Sequence, residues 1–362
     1  MDLTLFTIVA VAVLAFANGA NDVSKGIATL AGSRRASYRQ AIAWGTLWTA
    51  GGAAAALLLS FGLVRAFTSA LVDPAVLDRP VFPLAVAGAA SAWVMLASVT
   101  GLPVSTTHAL TGAIVGAAVA GGGGGAVSWW LVASTIAAPL ALSPLASAVC
   151  AYGAHGLARQ VDRACVCADP APGAVCAAPD GTLSAARVCH VHASLAGCEA
   201  APGRSRLLTG HLTHWAAAAA VSFARALNDS PKIAALGVVA LGSREAGIAG
   251  VFAVTALAMT AGSFVAGLRV ARTLGDGVVQ MRTDTGLAGG LVTAGLVLAA
   301  SVFTLPVSTT HVATGAIVGA GVRQGRHTVR WRTVGFLLAA WCVTLPVCAL
   351  GAAAASTWLE GR

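Results

Sequence analysis

The sequence predicts an all-α polytopic membrane protein made of two inverted-topology repeats, each of about five membrane segments with broken or re-entrant helices. Three observations support this prediction: the composition, a pair of duplicated motifs, and the placement of arginines between apolar segments. Hydrophobic residues make up 57% of the 362 residues and charged residues only 10%. Since a membrane-spanning helix needs about 20 mostly apolar residues, we expect a multi-pass protein embedded in a lipid bilayer.

The apolar segments fall into two groups, separated by a polar stretch. We place them near residues 3–32, 40–64, 80–100, 103–120 and 127–150, and then near 211–241, 247–268, 286–302, 305–322 and 333–357. The predicted domains are therefore a first transmembrane repeat at 1–150, a Cys-, Pro- and Gly-rich loop at 151–210, and a second transmembrane repeat at 211–362.

Two sequence motifs occur once in each half. Residues 101–117 and 304–320 differ at only three positions, and both carry Pro-Val-Ser-Thr-Thr-His ahead of a small-residue apolar run. Residues 16–25 and 223–232 share the pattern Phe-Ala-x-x-x-Asn-Asp-x-x-Lys. A duplication that keeps its polar residues inside membrane segments is typical of secondary transporters.

Arginine-rich loops alternate in opposite phase in the two halves. The loop at 33–39 carries three arginines, whereas its counterpart at 242–246 carries one arginine cancelled by one glutamate. The turn at 121–125 is uncharged, whereas its counterpart at 323–332 carries four arginines. Because basic loops stay on the cytoplasmic side, five crossings per half predict an inverted second half. Both termini then lie outside, and the loop at 151–210 lies in the cytoplasm.

The net charge of +9 does not indicate a nucleic-acid partner, because the arginines lie mainly in short loops beside apolar segments. Arginines in such positions orient membrane helices and approach anionic lipid headgroups. We therefore expect a protein of a bacterial inner or plasma membrane, without a nucleic-acid partner.

The duplicated Asn-Asp pairs are candidate cation ligands. Charged side chains inside a membrane helix cost roughly 2.5–3.5 kcal/mol each, so their presence in both halves calls for a function. Gly19 and Pro231 are expected to loosen the two helices and free backbone carbonyls, which with carboxylate and amide oxygens would bind Na⁺. Protonation of the aspartates would replace Na⁺ by H⁺. The simpler alternative is an Asp–Lys pair at i, i+3 that neutralises itself. The predicted cation-binding residues are Asn21, Asp22, Asn228 and Asp229.

The duplicated Ser-Thr-Thr clusters are candidate anion ligands. Each follows a proline and precedes an apolar run, as an N-cap does, and the amide groups and dipole of a helix start favour a tetrahedral oxyanion. The alternative is that these hydroxyls only cap the helices and join them to their neighbours. The following histidines either bind the substrate or pack as satisfied partners. The predicted substrate-binding residues are Ser105, Thr106, Thr107, His108, Ser308, Thr309, Thr310 and His311.

Arg225 has no counterpart in the first half, where Asn18 stands at the matching position. It either offsets the charge of an anion or lies at a water-filled end of its helix. The sequence leaves both possibilities open.

These motifs resemble those of the PiT family of inorganic phosphate transporters, which includes sodium/phosphate symporters. Gly-Ala-Asn-Asp-Val at 19–23 resembles the first signature of the family, Leu-Asn-Asp-Ser-Pro-Lys at 227–232 its second, and both Pro-Val-Ser-Thr-Thr-His copies match. The resemblance covers both halves and leaves out the central loop. It implies ion-coupled uptake of a tetrahedral oxyanion by a homodimer, with the Asn-Asp pairs at the cation sites and the Ser-Thr-Thr clusters at the anion site.

The sequence departs from the pattern of the family at Ser24-Lys25, where many members carry Ala-Asn. One cation site therefore differs, or is replaced by the charge of the lysine. The family also contains sulfate permeases, and the sequence does not separate the two anions cleanly. Sulfate has no proton to donate at neutral pH, so a site whose acceptors are carboxylates should favour phosphate.

The central loop gathers five of the eight cysteines. Its Cys-x-Cys and Cys-His-x-His patterns would suit Zn²⁺ or another soft metal, although the spacing matches no standard zinc module. The alternative is a linker with reduced thiols, because the cytoplasm disfavours disulfides. The candidate metal ligands are Cys165, Cys167, Cys176, Cys189, His190, His192 and Cys198.

The leading functional prediction is a secondary active transporter that imports phosphate by Na⁺ or H⁺ symport through alternating access. The alternatives are a sulfate permease of the same fold and an anion channel. A Ser-His-Asp enzyme is disfavoured, because Ser105 and His108 lie at i, i+3 on a helix start, a poor geometry for a nucleophile and its base. We expect neither enzymatic activity nor a cofactor, apart from the coupling ion Na⁺ or H⁺.

Overall fold

The computed structural model describes residues 3–59, 61–67, 70–163, 165–177, 183–192, 205–241 and 245–361. Seven of the described helices are long and apolar enough to cross a membrane, which confirms the predicted all-α polytopic class. The helices of the first half are α1 (Leu3–Gly32), α2 (Tyr38–Leu59), α3 (Phe61–Ala66), α4 (Pro74–Leu77), α5 (Val81–Thr100), α6 (Thr106–Gly122), α7 (Trp129–Leu131) and α8 (Ala138–Arg163). Those of the second half are α9 (Thr209–Ala240), α10 (Glu245–Ala266), α11 (Leu268–Gly277), α12 (Thr283–Val302), α13 (Thr309–Gln324) and α14 (Trp331–Glu360).

Helix α8 continues beyond the expected end of its apolar segment. A π-helical stretch, Val132–Ala137, joins it to α7, so that one helix runs from Trp129 to Arg163. Part of the predicted loop at 151–210 is therefore helical. The remainder contains a three-stranded antiparallel sheet with the order β2-β1-β3. Its strands are β1 (Cys165–Ala177), β2 (Leu183–His192) and β3 (Ser205–Leu208).

The third and fourth segments of each half form a re-entrant hairpin. Val72, before α5, makes an isolated β-bridge with Val127, after α6, so both helices have their outer ends at the same side of the molecule. Val279 and Val329 make the matching bridge around α12 and α13. Since such a helix pair returns to the side from which it starts, the charge argument for inverted halves does not depend on whether its two helices cross fully.

The turn at each hairpin tip has a local cause. Gly101 ends α5 with a left-handed backbone (φ 80°), and Thr304 has the same sign of φ (54°) at the matching place in the second hairpin. The following prolines lack the N–H that a continuing helix needs. The chain is then extended up to Ser105 and Ser308, whose side chains cap α6 and α13.

Close helix packing joins the two halves. A Cβ atom on Gly112 or Gly116 of α6 would lie 2.2 Å or 2.0 Å from a backbone carbonyl oxygen of α14. A Cβ atom on Gly315 or Gly319 of α13 would likewise lie 2.2 Å or 2.0 Å from a backbone carbonyl oxygen of α8. Each hairpin therefore packs through a Gly-x-x-x-Gly face against the last helix of the opposite half.

We expect Gly116→Val to lower the thermal unfolding temperature in detergent, because the added side chain collides with the backbone of α14. Overpacking of this kind costs about 1–3 kcal/mol or more. Gly88→Val on α5 is the matched control, since a Cβ atom there meets nothing within 4 Å. Equal unfolding temperatures for the two variants would contradict the close α6–α14 contact.

Candidate transport site

The tips of the two hairpins meet inside the molecule. Thr107 Oγ1 donates to the carbonyl oxygen of Val307 at 3.3 Å, and Thr310 Oγ1 donates to that of Val104 at 2.7 Å. Each tip therefore bonds to the residue that precedes the capping serine of the other. The structure thus brings together the two Ser-Thr-Thr clusters that the sequence places about two hundred residues apart.

The serines of both clusters act as N-caps. Ser105 Oγ accepts from the backbone N–H of His108 at 3.2 Å, and Ser308 Oγ accepts from that of His311 at 3.3 Å. All six hydroxyl residues of the clusters are at most 3% exposed. The starts of α6 and α13, with their positive dipole ends, therefore lie in a site closed to solvent in this structure.

The Asn-Asp helices are unbroken, which differs from the expectation. α1 runs through Gly19, and α9 runs through Pro231, without interruption. Gly19 instead permits close packing, since a Cβ atom there would lie 2.0 Å from the carbonyl oxygen of Met259. The free carbonyls of the site come from the extended hairpin tips, at Val104 and Val307, rather than from α1 and α9.

Lys232 reaches from α9 to both hairpin tips. Its ammonium donates to Asp229 Oδ1 at 3.0 Å and to Asn228 Oδ1 on its own helix. It also donates to the carbonyl oxygen of Val307 and to Thr107 Oγ1, both at 3.0 Å. Four oxygen atoms thus surround this buried ammonium.

Lys25 occupies the matching place on α1. Its ammonium donates to Asp22 Oδ1, to Asn21 Oδ1 at 3.0 Å, and to the carbonyl oxygen of Val104 at 3.3 Å. Asn21 also accepts from the backbone N–H of Val104 at 3.2 Å and donates to the carbonyl oxygen of Leu102 at 2.8 Å. The Asp–Lys pairs at i, i+3 are therefore present, and they additionally hold the hairpin tips.

Arg225 lies in the core and not at a water-filled end of its helix. Its guanidinium donates to Asn18 Oδ1 at 3.3 Å, Thr49 Oγ1 at 2.7 Å and Ser263 Oγ at 3.0 Å. Asn18 in turn donates to Asp22 Oδ2 at 3.2 Å and to Thr106 Oγ1 at 3.0 Å. The unmatched Asn18–Arg225 pair therefore connects the cation ligands to the first Ser-Thr-Thr cluster.

The buried charges of this centre do not cancel. Lys25, Lys232 and Arg225 contribute three positive charges against two negative charges of Asp22 and Asp229, which leaves +1 when all are ionised. A buried charge is costly unless it is paired. The centre is therefore suited to bind one further negative charge.

A model of the phosphate transporter family matches residues 18–352. The chain belongs to this family. It is 30% identical to a probable low-affinity inorganic phosphate transporter of Mycobacterium bovis, over 97% of this chain and 77% of the relative. A protein of the same description from Bacillus subtilis is 27% identical over 97% of this chain and 96% of the relative. The resemblance to phosphate transporters is thus confirmed, and the chain is a transport protein rather than an enzyme.

The fold also matches a solved structure. The structure described as the sodium-dependent phosphate transporter aligns over 99% of both chains with a TM-score of 0.74 and 21% sequence identity. The similarity in fold therefore covers nearly the whole of both chains.

The two predicted histidines lie beside each other. Their ring centroids are 4.7 Å apart, and His311 stacks on Trp341 at 3.9 Å while its Nδ1 contacts the carbonyl oxygen of Leu140 at 2.8 Å. Both rings line a largely apolar cavity of about 470 Å³ between α8 and α14. These contacts favour a packing role for His311 in this state of the transporter.

Six of the seven predicted metal ligands lie in the central sheet of the transporter. In the backbone register of β1 and β2, Cys165 is opposite His192 and Cys167 is opposite His190. Cys176 and Cys189 are also in these strands, and the structure describes only the backbone of all six residues. Cys198 lies outside the described residues. No metal-binding group of three side chains occurs among the residues whose side chains are described, and the metal site stays a prediction.

Lys25 and Lys232 were recognised in the motifs but not predicted as site residues. A simple signal identifies them: they are the only lysines of the chain, and the other 20 of its 22 basic residues are arginines. Every loop position that needs a positive charge has arginine, whereas lysine occurs only inside the site. Lysine is a compact point charge that presents three donors, which suits enclosure by several oxygen atoms.

Proposed function

We propose that the chain is a secondary active transporter that imports inorganic phosphate by cation symport through alternating access. The observation that carries this proposal is the meeting of two hairpin tips, which enter from opposite ends of the molecule, around a buried centre of net charge +1. A monobasic phosphate neutralises that charge. The hydroxyl groups and helix starts of both tips are suited to donate to its oxygens.

Phosphate is favoured over sulfate by the carboxylates of the centre. Asp22 and Asp229 accept hydrogen bonds, and a P–OH group can donate to them, whereas sulfate has no proton at neutral pH. Sulfate would bring only acceptor oxygens to these carboxylates, and buried acceptors that face each other without a proton penalise the wrong ligand strongly. We therefore infer phosphate as the substrate, with sulfate as a poor competitor.

Alternating access is supported by the similarity of the two halves. Each contributes one hairpin, one Asn-Asp helix and one lysine bonded to the tip of its own hairpin, Val104 or Val307. Two inverted repeats around one site exchange their conformations when the site opens to the other side. The closed site of this structure corresponds to a state between the two openings.

The proposed orientation follows the arginines. Arg34 lies 3.8 Å from Asp276 and lines the same cavity as Arg330, so the arginine-rich loops of both halves share one end of the molecule. We assign that end, with the central sheet, to the cytoplasm. Both termini then lie outside, where Glu360 pairs with Arg79.

The homodimer implied by the family resemblance is part of the same proposal. Native mass spectrometry of the protein released from lipid nanodiscs measures it directly. A chain that is monomeric in nanodiscs would exclude it, without affecting the proposed phosphate transport.

The full-length protein in proteoliposomes should accumulate radiolabelled phosphate above its external concentration when a cation gradient is imposed. An ionophore that collapses the gradient should abolish the accumulation, and an excess of sulfate should leave it nearly unchanged. Liposomes without protein are the control. Equilibration without accumulation would indicate an anion channel, and equal inhibition by sulfate would indicate a permease that does not distinguish the two anions.

A further inference from the structure

Both lysine ammonium groups occupy positions that resemble alkali-cation sites. The oxygens around Lys232 comprise one carboxylate, one amide, one backbone carbonyl and one hydroxyl, with three of the contacts at 3.0 Å. Lys25 has a carboxylate, an amide and a backbone carbonyl as its acceptors. These are the oxygen types that bind hard cations in proteins. An ammonium group and Na⁺ carry the same charge.

We propose that Lys25 and Lys232 are built-in cations that fill both cation positions of the transport site, so that phosphate is transported without Na⁺ bound there. This inference rests on the proposed phosphate transport and specifies its ion. The predicted cation ligands Asn21, Asp22, Asn228 and Asp229 keep their function, but the cation they bind is covalently part of the chain.

Charge and burial support this assignment. Both lysines are 1% exposed, and each aspartate is already paired with the lysine one helical turn away. A Na⁺ ion beside either ammonium group would add a second positive charge to the same carboxylate in a medium of low dielectric constant. Because the centre has a net charge of +1 without any bound ion, an anion can be held there unaided.

A tethered cation also changes what drives transport. Na⁺ bound in a symporter leaves with the substrate, whereas a lysine side chain stays with its helix through the whole cycle. The Na⁺ gradient is therefore not used at these two positions. Of the two proposed coupling ions, the proton remains, and phosphate itself can carry it.

The first test is phosphate uptake into proteoliposomes under an imposed pH gradient, with Na⁺ or N-methyl-D-glucamine as the only external cation. We expect the initial rates to differ by less than about twofold, the range of a general ionic effect. Uptake that requires Na⁺ would overturn the inference and leave phosphate transport intact. A protein that moves phosphate in neither solution would instead refute the proposed function.

The second test uses the fact that the chain has only two lysines. Protein labelled with ¹³C and ¹⁵N in lysine and placed in nanodiscs should give two side-chain ammonium environments, assigned through Lys25→Arg and Lys232→Arg. Replacing choline chloride by NaCl should leave both signals unchanged, whereas inorganic phosphate should shift them. Displacement of either signal by NaCl would show that Na⁺ competes for the site and would reject the inference.

The third test removes the lysine ammonium groups from the two cation positions. Lys25→Asn and Lys232→Asn leave the surrounding oxygens without their cation, so we expect the unfolding temperature of each variant to rise with NaCl more than with choline chloride. Wild-type protein and the surface variant Arg39→Asn should respond equally to both salts. A wild type that responds to Na⁺ as strongly as the lysine variants would contradict the assignment. If a variant does not fold, the lysine spectra of the wild type decide the question.

Discussion

Replacing both members of the buried Asp229–Lys232 pair, by Asn and Met, should strongly reduce phosphate uptake while the protein remains folded. Removing only one member leaves an uncompensated buried charge, which costs about 3–5 kcal/mol. A loss of uptake in a single variant therefore does not distinguish unfolding from loss of function. The double variant removes both charges together. We expect an unfolding temperature near that of the wild type and an uptake rate lower by at least about tenfold, since charge-assisted hydrogen bonds are each worth about 1.5–3 kcal/mol.

This experiment separates the two interpretations of the repeated motif. If the pair only neutralises itself and fixes helix packing, the double variant should transport phosphate as the wild type does. The matched control replaces both members of the exposed pair Arg79–Glu360, whose atoms are 3.0 Å apart, by glutamine. Exposed ion pairs contribute about 0–1 kcal/mol, so the control should keep both its stability and its uptake. The Asp22–Lys25 pair, changed in the same way, should behave like Asp229–Lys232.

Arg225→Gln should raise the KM for phosphate by roughly 10- to 100-fold, because it removes the one positive charge of the centre that has no carboxylate of its own. The net charge of the centre then falls from +1 to zero, and a bound anion becomes uncompensated. Uptake kinetics at several phosphate concentrations measure the change. Thermal unfolding of the same preparation checks that the fold persists.

Two further variants define the role of Arg225. Arg225→Lys keeps the charge but loses the planar fork that reaches Asn18, Thr49 and Ser263, so we expect an intermediate KM. Arg39→Gln is the control, since Arg39 is an exposed arginine in the first turn of α2. A KM for Arg225→Gln equal to that of the wild type would show that the charge balance of the centre does not govern phosphate binding.

Much of this site could be predicted from the sequence, because polar residues inside a membrane are costly and therefore conspicuous. The prediction of the Asn-Asp pairs and the Ser-Thr-Thr clusters as ligands rests on their duplication and on the chemistry of their side chains. Their assembly into one centre followed from the arginine pattern, which made the second half inverted. In the structure, Thr107 meets Val307 and Thr310 meets Val104, as a pair of inverted hairpins requires.

The position of the helix breaks could not be predicted in the same way. Gly19 and Pro231 are residues that often interrupt helices, yet α1 and α9 continue through them. Glycine also occurs where two backbones approach closely, and the contact of Gly19 with α10 is of this kind. Local sequence does not distinguish these two causes, because the neighbouring helix comes from a distant part of the chain.

Composition, motif duplication and loop charge were thus sufficient to predict a membrane transporter. These features are local properties of the chain, and membrane insertion acts on them directly. The hydrogen-bond partners of the lysines could not be predicted in this way. Lys232 receives two of its oxygens from residues 75 and 125 positions away in the chain, and such contacts exist only after two hairpins have packed against two helices. Only the folded chain therefore shows that both ammonium groups lie among the predicted cation ligands and the hairpin tips.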